Sequence, residues 1–385
     1  MKPHQRLGIC WVLVILAGTV FGDQIQAPTQ PRGPADAIVG NVADDDLRAL
    51  LDDVLERNPE IAGLSARISA AGHRSTAVRK LPDPRAELTA FVLPPETRVG
   101  PQRFSARLSQ QLPGGGKRSI SARAADFEQQ ALASEFQALR LALVTEARRL
   151  VVELAYLDEA QRVLSDDHAT LAHFEELARA HYASGAGLQM DAIQLQAELT
   201  RLETRTAELD ERRTGLVSEI NRLRDRPGAN VPPVSAPSIP SVNLDWIELR
   251  ELAAASRPEL RADDARISRS VAMTELAAKD RSPDFSVGLT YAYVEKRTDF
   301  DVPKNGQDVF GISGGITIPL WKTGNTAEVE AATQLRLAHE AERRMTMAEI
   351  DHTIETLLGR IPEIERRLNL LEEVLPVQAE QALAS

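Results

Sequence analysis

The period of apolar and polar positions changes several times along this chain, and each change marks an element. Helical spacing over 44–57 and about 59–80 predicts a helix pair broken at Asn58-Pro59. Past Pro82 and Pro84 the period falls to 2. In 85–93, Ala86, Leu88, Ala90 and Val92 share one face; in 102–112, Phe104, Ala106 and Leu108 alternate with Arg103, Ser105, Arg107 and Ser109. Neighbouring strand residues point to opposite faces, so both segments are predicted strands with one apolar side. The Pro/Gly-rich stretch 93–101 is their turn.

From 116 the spacing is helical again, with Leu132, Phe136, Leu139, Leu143, Ala147, Leu150, Leu154 and Leu157 at intervals of three and four. No proline interrupts the run before Tyr182, a span of about 100 Å at 1.5 Å per residue. Ser184-Gly185-Ala186-Gly187 breaks it. A second stripe, Leu195, Leu199, Leu202, Thr206, Leu209, Arg213, Leu216, Ile220 and Leu223, leads back. Intervals of three and four sustained this long belong to helices lying side by side, so 116–224 is a predicted antiparallel hairpin.

A Pro-rich connector, 226–242, precedes a second copy of the same order. Asn58-Pro59-Glu60 is answered by Arg257-Pro258-Glu259, Pro82-Asp83 by Pro283-Asp284, and Leu112-Pro113 by Ile318-Pro319. Alternation returns at 284–294 and 309–318. A long helix after Gly324 carries the stripe Ile350, Ile354, Leu357, Ile361, Ile364, Leu368, Leu371 and Leu375. The predicted organisation is a first repeat at 44–225 and a second at 243–385, the second stopping before a returning helix. The fold class is α+β and mostly α.

The first 22 residues are of another kind. Lys2 and Arg6 precede the apolar run Leu7 to Gly22, which is too short to span a bilayer, and Val20 and Gly22 suit the −3 and −1 positions of a secretory signal. Cleavage is expected between Gly22 and Asp23, followed by a Pro/Gln-rich leader over 23–43. The lone cysteine, Cys10, follows Ile9 where a lipoprotein signal needs a small residue, so no lipid is expected there. The processed chain would contain no cysteine, which excludes an internal disulfide framework.

Composition narrows the function further. Lys and Arg total 45 against 56 Asp and Glu, and a net charge of −11 argues against a nucleic-acid binder. The seven histidines form no i,i+4 pair and no HExxH. Asp44-Asp45-Asp46 fits a helix N-terminus, and Gly114-Gly115-Gly116-Lys117 lacks the spacing of a phosphate loop and suits a strand-to-helix turn. Neither a nucleophile motif nor a singled-out carboxylate pair is present. No enzyme, metal site or cofactor is expected.

Strands of 9–11 residues with one apolar face match tilted outer-membrane strands, although half-buried soluble sheets alternate likewise. Export, duplication and the length of the helices favour the membrane. Four strands cannot close a barrel, because the smallest single-chain examples use eight, and an open edge in lipid leaves backbone groups unsatisfied. Copies must pool strands: two chains give eight, three give twelve.

This layout resembles the outer-membrane efflux protein family, the TolC-like channels, over about residues 44–385. The residues that carry the likeness are Asn58-Pro59-Glu60, Leu112-Pro113-Gly114-Gly115-Gly116-Lys117-Arg118, Tyr182-Ala183-Ser184-Gly185 followed by Asp191, and Ile318-Pro319-Leu320-Trp321 followed by Gly324. The Leu112–Arg118 turn is closest to the heavy-metal efflux branch. The resemblance implies a homotrimer, a 12-stranded barrel in outer-membrane lipid and a periplasmic tube of long helices. It implies as partners a periplasmic adaptor protein and an inner-membrane RND-type transporter. Tyr182, Gly185, Leu188 and Asp191 are the expected adaptor contacts; Arg103 and Arg107 would face the lumen. The alternative functions are a periplasmic coiled-coil scaffold or adaptor, and an inactive truncated channel. The chain lacks a second returning helix, so it is expected not to make a sealed duct by itself.

Overall fold

The computed structural model describes residues 45–231, 245–300 and 302–384. These lie in the second of two compact units, Val42–Ser385; the first, Met1–Asn41, is outside the described residues. The signal peptide, its Gly22/Asp23 cleavage point, the leader and most of the 226–242 connector are therefore also outside them.

The helix pair forms as α1 (Asp45–Arg57) and α2 (Pro59–Arg79). Asn58 explains the break between them. Its side-chain oxygen accepts from the amides of Glu60 (2.9 Å) and Ile61 (3.4 Å), and its Nδ2 donates 2.9 Å to the Leu223 carbonyl. One side chain thus caps the start of α2 and satisfies a carbonyl at a distant helix end. Pro59 at the first helical position has no amide to leave unpaired.

Strands follow at β1 (Arg85–Ala90), β2 (Glu96–Thr97) and β3 (Gly100–Leu112). β1 is shorter than the predicted 85–93: only the Phe91 amide still bonds β3, at Arg103, and Val92 and Leu93 lie exposed in the turn. β3 begins two residues earlier than expected because it also pairs with the short β2. Next comes α3 (Lys117–Ala183), entered through Gly115 and Gly116, whose φ of +64° and +75° lie in the left-handed region. The return helix is α4 (Gln189–Leu223).

The second half runs α5 (Trp246–Ser256), α6 (Pro258–Lys279), β4 (Asp284–Val294), β5 (Val309–Thr317) and α7 (Lys322–Asn369). A π turn, Leu370–Val374, joins α7 to α8 (Leu375–Ala384). α7 begins two residues before Gly324, which lies inside the helix instead of ahead of it. Of the stripe predicted on α7, Ile350 is buried, while Leu357, Ile361, Ile364, Leu368, Leu371 and Leu375 are exposed.

Packing explains which part of each stripe is buried. At the root of the α3–α4 hairpin, Leu51 and Val54 of α1 are buried with Leu150, Leu154 and Leu157 of α3 and with Ile220 and Leu223 of α4. Toward the tip only two helices share the seam, and Leu195, Leu199 and Leu202 are half-buried. The two halves meet where α6 packs on α3. Ile120, Ala124 and Ala272 form a small core there, joined by Phe127 and Leu276. Across this seam run the ion pairs Arg123–Glu275, Arg269–Glu128 and Arg266–Glu135.

Candidate membrane-spanning sheet and hairpin tip

The long strands form one antiparallel sheet in the order β1-β3-β4-β5. Its register puts most of the large apolar residues of all four on one side, with Val294 and Val309 on the other. Ala86, Leu108, Leu289 and Ile312 form one cross-strand row, and Leu88, Ala106, Tyr291 and Phe310 the next. The other side carries Glu87, Arg107, Thr290 and Gly311 in a row, flanked by Arg85, Ser109, Gly288 and Ser313. A slip of one residue in any strand would mix the two sides, so the pattern and the register specify each other.

Among the described residues no element covers the apolar side. Leu88 is 75 % exposed and Ile312 80 % exposed, with Phe285, Val287, Leu289, Phe310 and Ile316 exposed beside them. In water such a face would be unfavourable by about 25 cal/mol for each Å² of apolar surface left uncovered. An 11-residue strand is about 36 Å long, and a tilt of about 40° brings that near the roughly 25 Å apolar band of outer-membrane barrels. Aromatic residues gather at the end far from the helices, where Phe104 stacks on Tyr293 at 5.4 Å with Tyr291 beside them. At the helix end stand Phe285 and the exposed Trp321. Two aromatic levels around an aliphatic middle is the distribution found at bilayer interfaces. The alternation in the sequence contained both levels, but only the register brings their members together. Among the described residues no helix is long and apolar enough to cross a membrane.

The sheet is tied to the helices by an ion pair. Lys117, in the first turn of α3, donates to Asp284 at 3.0 Å and to the Ser282 carbonyl at 3.1 Å, while the Gly114 amide donates to the same Asp284 oxygen at 2.9 Å. Both side chains are largely buried. The Leu112–Arg118 turn is therefore a structural joint between the two halves. Of the two arginines singled out by pattern, Arg107 lies in register between Glu87 and Thr290. Arg103 sits at a register shift between Gln102 and Phe104 and pairs with Glu295 at 2.6 Å.

At the far end of α3 the chain reverses over Ser184–Leu188. Gly185 has φ +78° and its amide donates 3.0 Å to the Tyr182 carbonyl; the amides of Ala186 and Gly187 both reach the His181 carbonyl. Gly187 serves by its lack of a side chain, since a Cβ there would lie 3.1 Å from the His181 Cβ. Asp191 does not cap the returning helix. The cap position is Leu188, with no side-chain hydrogen bond, and Asp191 is the third residue of α4, in its first turn. Its charge is still favoured by the positive end of the helix. Tyr182, Leu188, Met190 and Ile193 are exposed around the reversal, with Leu177 one turn back on α3. Leu177, Met190 and Ile193 escaped the sequence reading, which sought motif residues and not apolar residues lying off the hairpin stripe.

Among the described residues no group of three or more His, Cys, Asp or Glu side chains is placed to hold a metal.

No protein-family model matches the chain. No curated protein matches its sequence. Its fold does match solved structures. The outer-membrane channel OprN matches with a TM-score of 0.72 at 17 % identity, over 89 % of this chain and 80 % of that one. The outer-membrane protein VceC from Vibrio cholerae matches with 0.71 at 20 %, over 89 % and 84 %. The Campylobacter jejuni outer-membrane channel CmeC matches with 0.63 at 16 %, over 88 % and 79 %. The chain has the fold of outer-membrane channel subunits.

Proposed function

We propose that this chain is the outer-membrane subunit of a tripartite efflux pump and provides a passive exit duct. Copies pool their four strands into a membrane barrel, three giving twelve, and the α3–α4 hairpin extends about 100 Å into the periplasm. A periplasmic adaptor docks at the tip around Tyr182, Gly185, Leu188 and Asp191, and an inner-membrane RND-type transporter supplies the energy. Arg103 and Arg107 line the wet interior. The outer-membrane channels OprN and CmeC, which share the fold, support a transport role. Metal cations are the proposed cargo only through the likeness of the Leu112–Arg118 turn to the heavy-metal branch, and sensitivity of a deletion strain to metal salts tests that point.

One observation carries the proposal: the register gathers Leu88, Leu108, Leu289, Phe310, Ile312 and Ile316 on one exposed side and Glu87, Arg107, Thr290 and Ser313 on the other. Thiol labelling tests it. In a C10S background, a water-soluble maleimide should modify T290C and S313C in isolated outer membranes and spare L289C and I316C. Equal modification of both sets means a soluble sheet and overturns the proposal.

A further inference from the structure

The edges β1 and β5 are each paired on one side only. The internal repeat predicts what each would pair with. From Pro82 to Pro283 is 201 positions, and from Leu112 to Ile318 is 206. These two offsets carry β1 onto β4 and β3 onto β5. They can be checked against the hairpins: they convert the observed pair Arg85↔Ser109 into Ser286↔Gly315, which is also observed. The two hairpins therefore share one register, and the offsets hold residue by residue through the sheet.

Between the hairpins lies the β3–β4 seam, paired Leu108↔Leu289 and Arg107↔Thr290. The same offsets turn this inner seam into an outer one between β5 and the β1 of another chain. We infer that β5 of one copy pairs antiparallel with β1 of the next in the register Gly314↔Leu88, with Ser313 opposite Thr89 and Ile316 opposite Ala86. This rests on the channel proposed above and specifies how its copies join. The direction is right, because four alternating strands leave β5 antiparallel to β1. The faces are right as well. Gly314, Ile316, Ala86 and Leu88 are on the apolar side, while Ser313 and Thr89 are on the polar side.

The helices show the same open half. α6 packs on both α3 and α7, and buries seven residues including Leu260, Ala262, Ala265 and Ala272. Its counterpart α2 packs on α3 and α1 and buries only Ile61, Ala71 and Ser75. Among the described residues no element packs on α2 as α3 packs on α6; the counterpart of that neighbour is α7 of an adjoining copy, and α7 exposes Leu335, Leu337 and Met345. At the sheet–helix joint, Asp284 is enclosed by Lys117 and Gly114, whereas its counterpart Asp83 is 85 % exposed beside Lys80 at 3.5 Å. The correspondence stops at the position after the proline. A Cβ at Gly114 would lie 2.1 Å from the Pro283 carbonyl oxygen, and its counterpart is Leu320. The inferred pairing therefore covers Gly311 to Thr317 on β5.

Disulfide trapping in outer membranes of cells expressing the full chain reads the register directly. Opposed residues in an antiparallel pair have Cα atoms about 4.5–5.5 Å apart, within reach of a disulfide, whereas positions two residues off are about 7–8 Å apart and beyond it. In a C10S background, copper-phenanthroline should convert G314C/L88C or S313C/T89C into linked chains several-fold better than G314C/A86C or G314C/A90C. Within its own chain a Cβ at Gly314 meets nothing within 4 Å, so the substitution does not disturb the subunit's own sheet. The link must join two chains, because β1 and β5 are opposite edges of the sheet; coexpressed single variants with different tags verify this. Preferential trapping of Gly314 with Ala86 or Ala90 overturns the register and leaves the channel standing. No trapping at any of these pairs, with L289C still protected from maleimide, overturns the seam between copies. Loss of that protection as well removes the channel reading itself.

Discussion

At the residue scale, Asn58 does more than its place in a helix-breaking triplet suggests. It caps α2 and also donates to the Leu223 carbonyl at the end of α4. Loss of an N-cap costs about 1 kcal/mol, and an unsatisfied buried carbonyl adds about 1–3. N58A should therefore lower thermal stability clearly, and N58D, which keeps the cap but not the donor, should lie between it and wild type in a melting curve. Asp126 supplies an acid-sensitive contact. The Ser75 hydroxyl and the Arg79 guanidinium hold its carboxyl below the ordinary 3.8, against the opposing effect of burial. A lowered folded-state value means that its contribution is complete above the unfolded-state value and disappears as pH falls through the folded one. D126N should accordingly lose stability at pH 7 and differ little from wild type near pH 2, as read by denaturation at both pH values.

At the scale of elements, the α3–α4 hairpin separates two tasks along about 100 Å of helix. Its root packs against α1, while its tip is a two-helix seam ending in exposed Tyr182, Leu188, Met190 and Ile193. Changes at the tip should not reach the sheet. G185V forces a β-branched residue into φ +78°, and D191R reverses a charge favoured in the first turn of α4. Both should reduce cross-linking to a coexpressed adaptor while the amount of chain in the outer membrane stays the same. Unchanged cross-linking would refute the tip as the docking point. The sequence located the helices of this hairpin within a residue or two, because stripes spaced three and four apart are a long and redundant signal. The cap position at Leu188 was not legible, since a cap is defined by backbone conformation at one position, which apolar spacing does not resolve.

At the scale of the whole molecule, the chain joins an exposed apolar sheet to helices suited to water, and the joint is the Lys117–Asp284 pair linking its two halves. The proposed outer-membrane role requires export, and the basic start, the apolar run and the Val20/Gly22 pair predict a processed N-terminus at Asp23. Intact mass of the membrane-extracted chain measures this; a retained Met1 or a lipid on Cys10 would contradict it.

The sequence by itself determined the order of elements, the two faces of each strand and the recurrence of one plan in both halves. All of these follow from periodicity, which is local: side chains on a strand alternate, and those on a helix return every 3.6 residues, whatever lies around them. Tertiary structure alone decided which strands adjoin, that their apolar residues form a single surface, and that Phe104, Tyr291 and Tyr293 gather at one level of it. It alone put Lys117 on Asp284 and, among the described residues, left β1, β5 and one flank of α2 without the partners that β3, β4 and α6 have. Those contacts join residues far apart in the chain, and their geometry depends on register and packing, which no window of neighbouring residues contains.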